Sequence, residues 1–135
     1  MSSLSPLAAT ANVAIGGAIG AVLRHQTGRL MTHWLGAKTV TAFPWATLTV
    51  NVVGSLLMGV LAGWMARQGT GGEQMRLLLG VGLLGGFTTF SSFSLEMMLL
   101  IERGQIAPAM TYALVSVLAG LAGLYIGLIA MRLAA

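Results

Sequence analysis

The chain has 135 residues, 56% of them hydrophobic and only 7% charged, whereas soluble domains carry about 25% charged residues. Its surface is therefore not built for water, and its net charge of +4 is that of seven singly scattered Lys and Arg against three Asp and Glu, which excludes a nucleic-acid patch and reads as headgroup anchoring. With no cysteine present, disulfides and thiolate metal sites are excluded as well.

A short lead-in, residues 1–8, precedes the first apolar stretch, Ala8 to Leu23. That stretch reaches the ~20 residues of a spanning helix only when extended toward His25 or Gly28, so a span over residues 8–28 is predicted. No Lys or Arg precedes Arg24 and three further apolar stretches follow; a retained membrane helix is therefore expected rather than a cleaved secretory signal. Arg24 is either a snorkelling anchor or an anion-attracting charge at a pore mouth. A loop carrying His33, Gly36 and Lys38 then leads to Pro44. His25 and His33 have no partner at metal-ligand spacing and carry no signal.

The second predicted span covers 45–66, with Pro44 where the helix begins, a position that needs no N–H. Thr47, Asn51 and Ser55 follow one another at i, i+4 steps and share a face. Hydroxyls and amides at membrane depth serve either as glue between helices or as markers of a pathway. Thr47 and Ser55 alone read as glue; for Asn51, between two valines near mid-span, both readings stand. Gly69 to Glu73 reads as a tight polar loop.

The third span, over 75–101, is the most informative part of the chain. A straight helix of that length spans roughly 40 Å, more than the ~30 Å hydrocarbon core. In its middle lies Gly85-Gly86-Phe87-Thr88-Thr89-Phe90-Ser91-Ser92-Phe93, where paired glycines and β-branched threonines disfavour helix. A break over Gly85 to Thr89 is expected. Non-helical backbone survives at that depth only when covered by protein or lining a polar cavity. The break also frees carbonyls that can hold a small hard cation such as Na⁺. Phe90 and Phe93 lie three apart on one face, either as packing or with positive ring edges toward a pore. Glu96, about a turn and a half from the end, either reaches the interface or pairs with a base.

The fourth span, over 107–131, opens at Pro108 and carries Tyr112 and Ser116 at i, i+4. Gly120, Gly123 and Gly127 form a small-residue face, as do Gly16 with Gly20 and Gly59 with Gly63, suited to close helix contact. With four spans both termini lie on one side. That side carries Arg67, Arg76 and Arg132, against Arg24, Arg29, Lys38 and Arg103 on the other. Three against four gives the positive-inside rule almost nothing to act on. Either something weaker than charge sets orientation, or the chain inserts both ways and pairs antiparallel; the second reading is preferred. No Ser–His–Asp set, phosphate loop or nucleotide fingerprint is present, so no enzyme is expected.

These residues together resemble the small fluoride channels of the Fluc (CrcB) family, over essentially the whole chain. The likeness rests on Gly16-Gly17-x-x-Gly20-Ala21-x-x-Arg24, on Thr47-Leu48-x-Val50-Asn51-x-x-Gly54-Ser55, and on Gly85-Gly86-x-Thr88-Thr89-Phe90-Ser91-x-Phe93-Ser94. Ala46 stands where a glycine usually precedes Thr-Leu, and Ser92 replaces a threonine. The resemblance implies an all-α membrane protein with a broken third helix, assembled as a dual-topology antiparallel homodimer in the cell inner membrane. It implies two fluoride pores lined by Asn51, Phe90 and Phe93, with Thr47, Tyr112 and Ser116 contributing. It further implies a structural Na⁺ on the dimer axis, held by backbone carbonyls of Gly85 and Thr88. Arg24 and Glu96 carry no assigned role. The expectation is thus one four-helix domain over 1–135 that lets fluoride leave the cytoplasm passively. Two other readings remain: a dual-topology exporter of cationic drugs, which needs a membrane carboxylate, and a non-transporting assembly subunit.

Overall fold

The computed structural model describes residues 4–68 and 72–134; the expected loop over Gly69 to Glu73 falls mostly outside them. Among the described residues, four helical stretches are long and apolar enough to cross a membrane: Pro6–Leu35, Trp45–Gln68, Glu73–Glu102 and Ile106–Leu133. The elements are α1 (Pro6–Leu35), α2 (Ala37–Ala42), α3 (Trp45–Gln68), α4 (Glu73–Met75), a π-helical segment (Arg76–Leu84), α5 (Gly85–Phe87), α6 (Phe90–Glu102) and α7 (Ile106–Leu133). Large apolar side chains such as Leu7, Leu121 and Ile126 point outward, as they must when lipid is the solvent.

Three differences from the sequence reading stand out. First, α1 does not end near Arg24 to Arg29. It runs on as helix through His33 to Leu35, adding polar turns beyond the apolar stretch. Ser5 caps its start, accepting from the Ala8 N–H at 3.2 Å, and Pro6 occupies the first turn where its missing N–H costs nothing. Second, the expected loop with Lys38 is mostly the short helix α2. The turn between α1 and α2 falls on Gly36 at φ +82°, a left-handed value that glycine adopts without strain. Third, the break in the third span is narrower than Gly85 to Thr89. Gly85 to Phe87 remain helical, and only Thr88 (ψ 157°) and Thr89 (φ −154°, ψ 122°) are extended. Upstream of it, the nine residues Arg76–Leu84 are wound as π-helix, a form usually confined to single turns and common at functional sites.

Glycine lets the helices approach closely, in two pairs. Along α1, a Cβ on Gly16 or Gly20 would strike the carbonyl oxygens of Leu78 and Leu83, so α1 lies flush against the first half of the third span. Gly59 of α3 faces the Leu124 carbonyl, and Gly127 of α7 faces that of Leu56, locking α3 to α7. Arg67 closes the far end of that pair by donating from Nη1 to the Met131 carbonyl at 3.1 Å. Where α6 meets α7, Leu100, Ala109 and Tyr112 form a buried core with Phe43, Leu48, Phe93 and Met97 against it.

Candidate functional site

The site is built around the two extended residues of the third span. In a continuous helix the Thr89 N–H would bond the Gly85 carbonyl. Here it donates to Asn51 Oδ1 at 2.8 Å, while Asn51 Nδ2 donates to the Thr89 carbonyl at 3.0 Å. The Asn51 side chain thus pairs with Thr89 as a neighbouring strand would, satisfying both backbone groups of that residue. Thr89 then starts α6: its Oγ1 accepts from the Ser92 N–H at 3.2 Å, an N-cap contact that replaces the bond Ser92 would give to the Thr88 carbonyl. The carbonyls of Gly85 and Thr88 consequently lose the partners that a continuous helix would give them. Thr88 itself turns its hydroxyl back to the Leu84 carbonyl at 2.9 Å. Gly54 of α3 makes room for it, since a Cβ there would meet Thr88 Cγ2.

About two turns further along α6, Glu96 makes contacts that the sequence reading did not foresee. Its Oε1 accepts from the Thr47 hydroxyl at 2.7 Å and its Oε2 from the Tyr112 hydroxyl at 2.8 Å. One carboxylate therefore ties α3, α6 and α7 together. Tyr112 is fully buried and Thr47 is 8% exposed, so both hydroxyls rely on Glu96 as their partner.

The aromatic residues form a connected row. Phe90 lies 5.6 Å from Phe93, Phe93 lies 5.0 Å from Tyr112, and Tyr112 lies 5.5 Å from Phe43. Phe93 is partly buried inside this row, whereas Phe90 is 79% exposed at the outer surface of the chain. Ser116, one turn beyond Tyr112 on α7, has a buried hydroxyl with no hydrogen-bond partner. A cavity of about 620 Å³ opens onto the break, lined by Thr47, Val50, Thr89 and Ser92 on one side and by Arg24, His25, Arg29 and His33 on the other. Four basic or titratable groups, scattered in sequence, meet there because α1 stays helical past Gly28.

The structure thus brings Asn51 to the break and groups Thr47, Phe93, Tyr112 and Glu96 beside it. It leaves Phe90 outward, and puts Arg24 in the lining of the cavity. Sequence reasoning missed the Asn51–Thr89 pairing and the Glu96 clamp. For the first a signal existed: a broken helix and a lone amide at similar depths of adjacent spans.

Four apolar spanning helices and a polar site around an interrupted one define a multi-pass membrane protein of the kind that handles small solutes or ions. The model of the family described as CrcB-like protein, Camphor Resistance (CrcB), matches residues 11–128. The chain belongs to the CrcB family. Among its relatives, a protein of Novosphingobium aromaticivorans is 64% identical over 93% of this chain and 98% of its own length. Another, from Erythrobacter litoralis, is 58% identical over 98% of each chain. A third, from Sphingopyxis alaskensis, is 52% identical over 98% of this chain and 97% of its own. All three bear the name fluoride-specific ion channel FluC.

Proposed function

We propose that this protein is a passive, fluoride-selective channel rather than an enzyme. In this reading it lies in the cell inner membrane and lets fluoride leave the cytoplasm, lowering its toxicity. The observation that carries the reading is the family match with its near full-length relatives named as fluoride channels. The site's chemistry is in keeping with it. Fluoride holds its water tightly, so a pathway must offer replacement donors without a fixed cation that would trap the ion. Asn51 spends one N–H on Thr89 and keeps the other. Ser116 has an unspent hydroxyl, and Phe90 and Phe93 offer positive ring edges. Thr47 and Tyr112 direct their protons to Glu96 and contribute shape and a polar wall. Arg24 and Arg29 draw anions into the cavity without sitting at the break.

The working unit in this proposal is a dual-topology, antiparallel homodimer with two pores. Gly85, Phe90 and Ser91 are exposed around the break, and interrupted backbone is not tolerated against lipid; a second copy covering that face resolves the conflict. The near-equal charge count on the two sides removes the usual obstacle to inserting both ways. The carbonyls of Gly85 and Thr88, relieved of their helical donors, are oxygen ligands of the type that hold Na⁺. A pair from each copy would cradle one ion on the axis, and that ion would serve to fix the two breaks together.

Liposome release measured with a fluoride electrode tests the channel. Fluoride should leave loaded vesicles at a rate that scales with protein, with chloride and protons moving far more slowly. Release no faster than from empty vesicles would sink the proposal. A proton-coupled cation exporter would need Glu96 as its carrier; its double clamp by Thr47 and Tyr112 argues against that role. Accessibility of tags on both termini from each side of the membrane tests the antiparallel arrangement.

A further inference from the structure

We propose that a separate pocket at the membrane interface binds an anionic phospholipid through its phosphate and a headgroup hydroxyl. The pocket, about 410 Å³, lies between α2 and the turn joining α6 to α7, lined by Ala37, Lys38, Thr41, Ala42, Arg103 and Gln105. Its lining includes two cations and no acidic side chain. Both flanking turns lie on the same face of the bundle, at the ends of the apolar stretches, which is headgroup depth. Arg103 is not a loose surface charge: its Nη1 donates to the Thr41 carbonyl at 3.2 Å. That bond fixes the guanidinium over the pocket and leaves most of its donors free, a geometry suited to phosphate.

The second, independent observation is Gln105. Its backbone is pinned by a 2.9 Å bond to the Leu100 carbonyl, and its side-chain Oε1 is buried with no donor. A buried acceptor left without a donor is unfavourable. A bare phosphate oxygen brings no proton to it, whereas the hydroxyl of a glycerol headgroup does. Beside the pocket, Ile106 and Met110, one turn apart on α7, are exposed and offer an apolar strip for acyl chain. Cation, hydroxyl acceptor and apolar strip together match phosphatidylglycerol chemistry, and basic pockets between membrane helices are suited to such headgroups.

Native mass spectrometry of the purified full chain with added lipid tests this. Dioleoylphosphatidylglycerol should be retained about thirtyfold more than dioleoylphosphatidylcholine, the scale expected of two basic contacts at a membrane surface. Lys38→Gln, which removes only an exposed charge, should reduce that preference several-fold. The double variant Lys38→Gln with Arg103→Gln should abolish it. Phosphatidylethanol, equally charged but without the hydroxyl, should be retained less well, and Gln105→Leu should erase that difference. Equal retention of the two glycerophospholipids, or a preference untouched in Lys38→Gln, would overturn the assignment. Displacement of the lipid by millimolar inorganic phosphate would overturn it too, giving the pocket to a free oxyanion. Size-exclusion profiles of each variant show whether a loss reflects the pocket or a failed fold.

Discussion

Replacing Asn51 with alanine removes the side chain that pairs with both Thr89 backbone groups, at 2.8 Å and 3.0 Å. Each backbone group left without a partner costs about 1–3 kcal/mol, so the two together cost roughly 2–6 kcal/mol. Thr89 lines the 620 Å³ cavity, where water can reach one of the orphans, which moves the expectation toward the lower half of that range. For a chain of this size the loss corresponds to a fall in melting temperature on the order of 10 °C. Thermal denaturation in detergent, followed by the monodisperse fraction on size exclusion, reads it directly. Val53→Ala is the control: the same helix half a turn away, with an exposed side chain, expected to stay within about 0.5–1 kcal/mol of the parent. The surviving folded fraction of Asn51→Ala, reconstituted at matched protein, should also release fluoride more slowly because the break has lost its register. A variant that melts within about 2 °C of the parent would refute the claim that Asn51 holds the interrupted backbone. Lost stability with unchanged release per folded protein would confine Asn51 to a structural part.

Glu96→Gln should cost less than about 1 kcal/mol, since a glutamine oxygen still accepts one hydroxyl and the other can rotate to accept. Glu96→Leu should cost about 2–4 kcal/mol by orphaning the Thr47 and Tyr112 hydroxyls; similar melting curves for the two variants would refute the clamp. Gly127→Ala drives a Cβ into the Leu56 carbonyl and should destabilise by about 1–3 kcal/mol. Gly28→Ala, with nothing nearby, should be neutral or gain up to about 1 kcal/mol of helix propensity; denaturation curves that fail to separate these two glycines would contradict the packing. Phe93→Ile keeps an apolar side chain next to Tyr112 but removes the ring edge, and should slow fluoride release from liposomes while assembly persists. Parental release rates would reject a role for the ring.

The four spans and the neighbourhood of the break were legible because both follow from local composition: long apolar stretches, and a cluster of glycine, threonine and serine in one of them. The break's extent was not, because it depends on a partner. Gly85 to Phe87 stay helical behind the π-wound turns of Arg76–Leu84, and no residue pattern there announces a π-helix. The Glu96 clamp joins positions 49 and 16 residues apart in sequence, with no local periodicity to betray it. Likewise, the basic lining of the cavity arises only because α1 continues past Gly28. The sequence shows polar residues there and suggests an end; helix geometry instead carries Arg29 and His33 back toward Arg24.

An interrupted membrane helix must settle the debts of its own backbone, and the way this chain does so leaves a specific remainder. Asn51 takes both groups of Thr89, Thr89 takes the N–H of Ser92, and Thr88 returns its hydroxyl to Leu84. Glu96, the carboxylate nearest the break, is occupied by two hydroxyls. Left without helical donors are the carbonyls of Gly85 to Thr88, and one Asn51 N–H and the Ser116 hydroxyl also stay unpaired. Carbonyl oxygens suit a hard cation, and neutral N–H and O–H donors suit a hard anion. A site built from such leftovers binds ions through dipoles rather than charges, so it can strip part of an ion's water yet release it. The proposed channel activity and the proposed Na⁺ both follow from this division. Each would fail if Asn51 were shown not to hold Thr89, because a relaxed, re-formed helix would reclaim the same carbonyls.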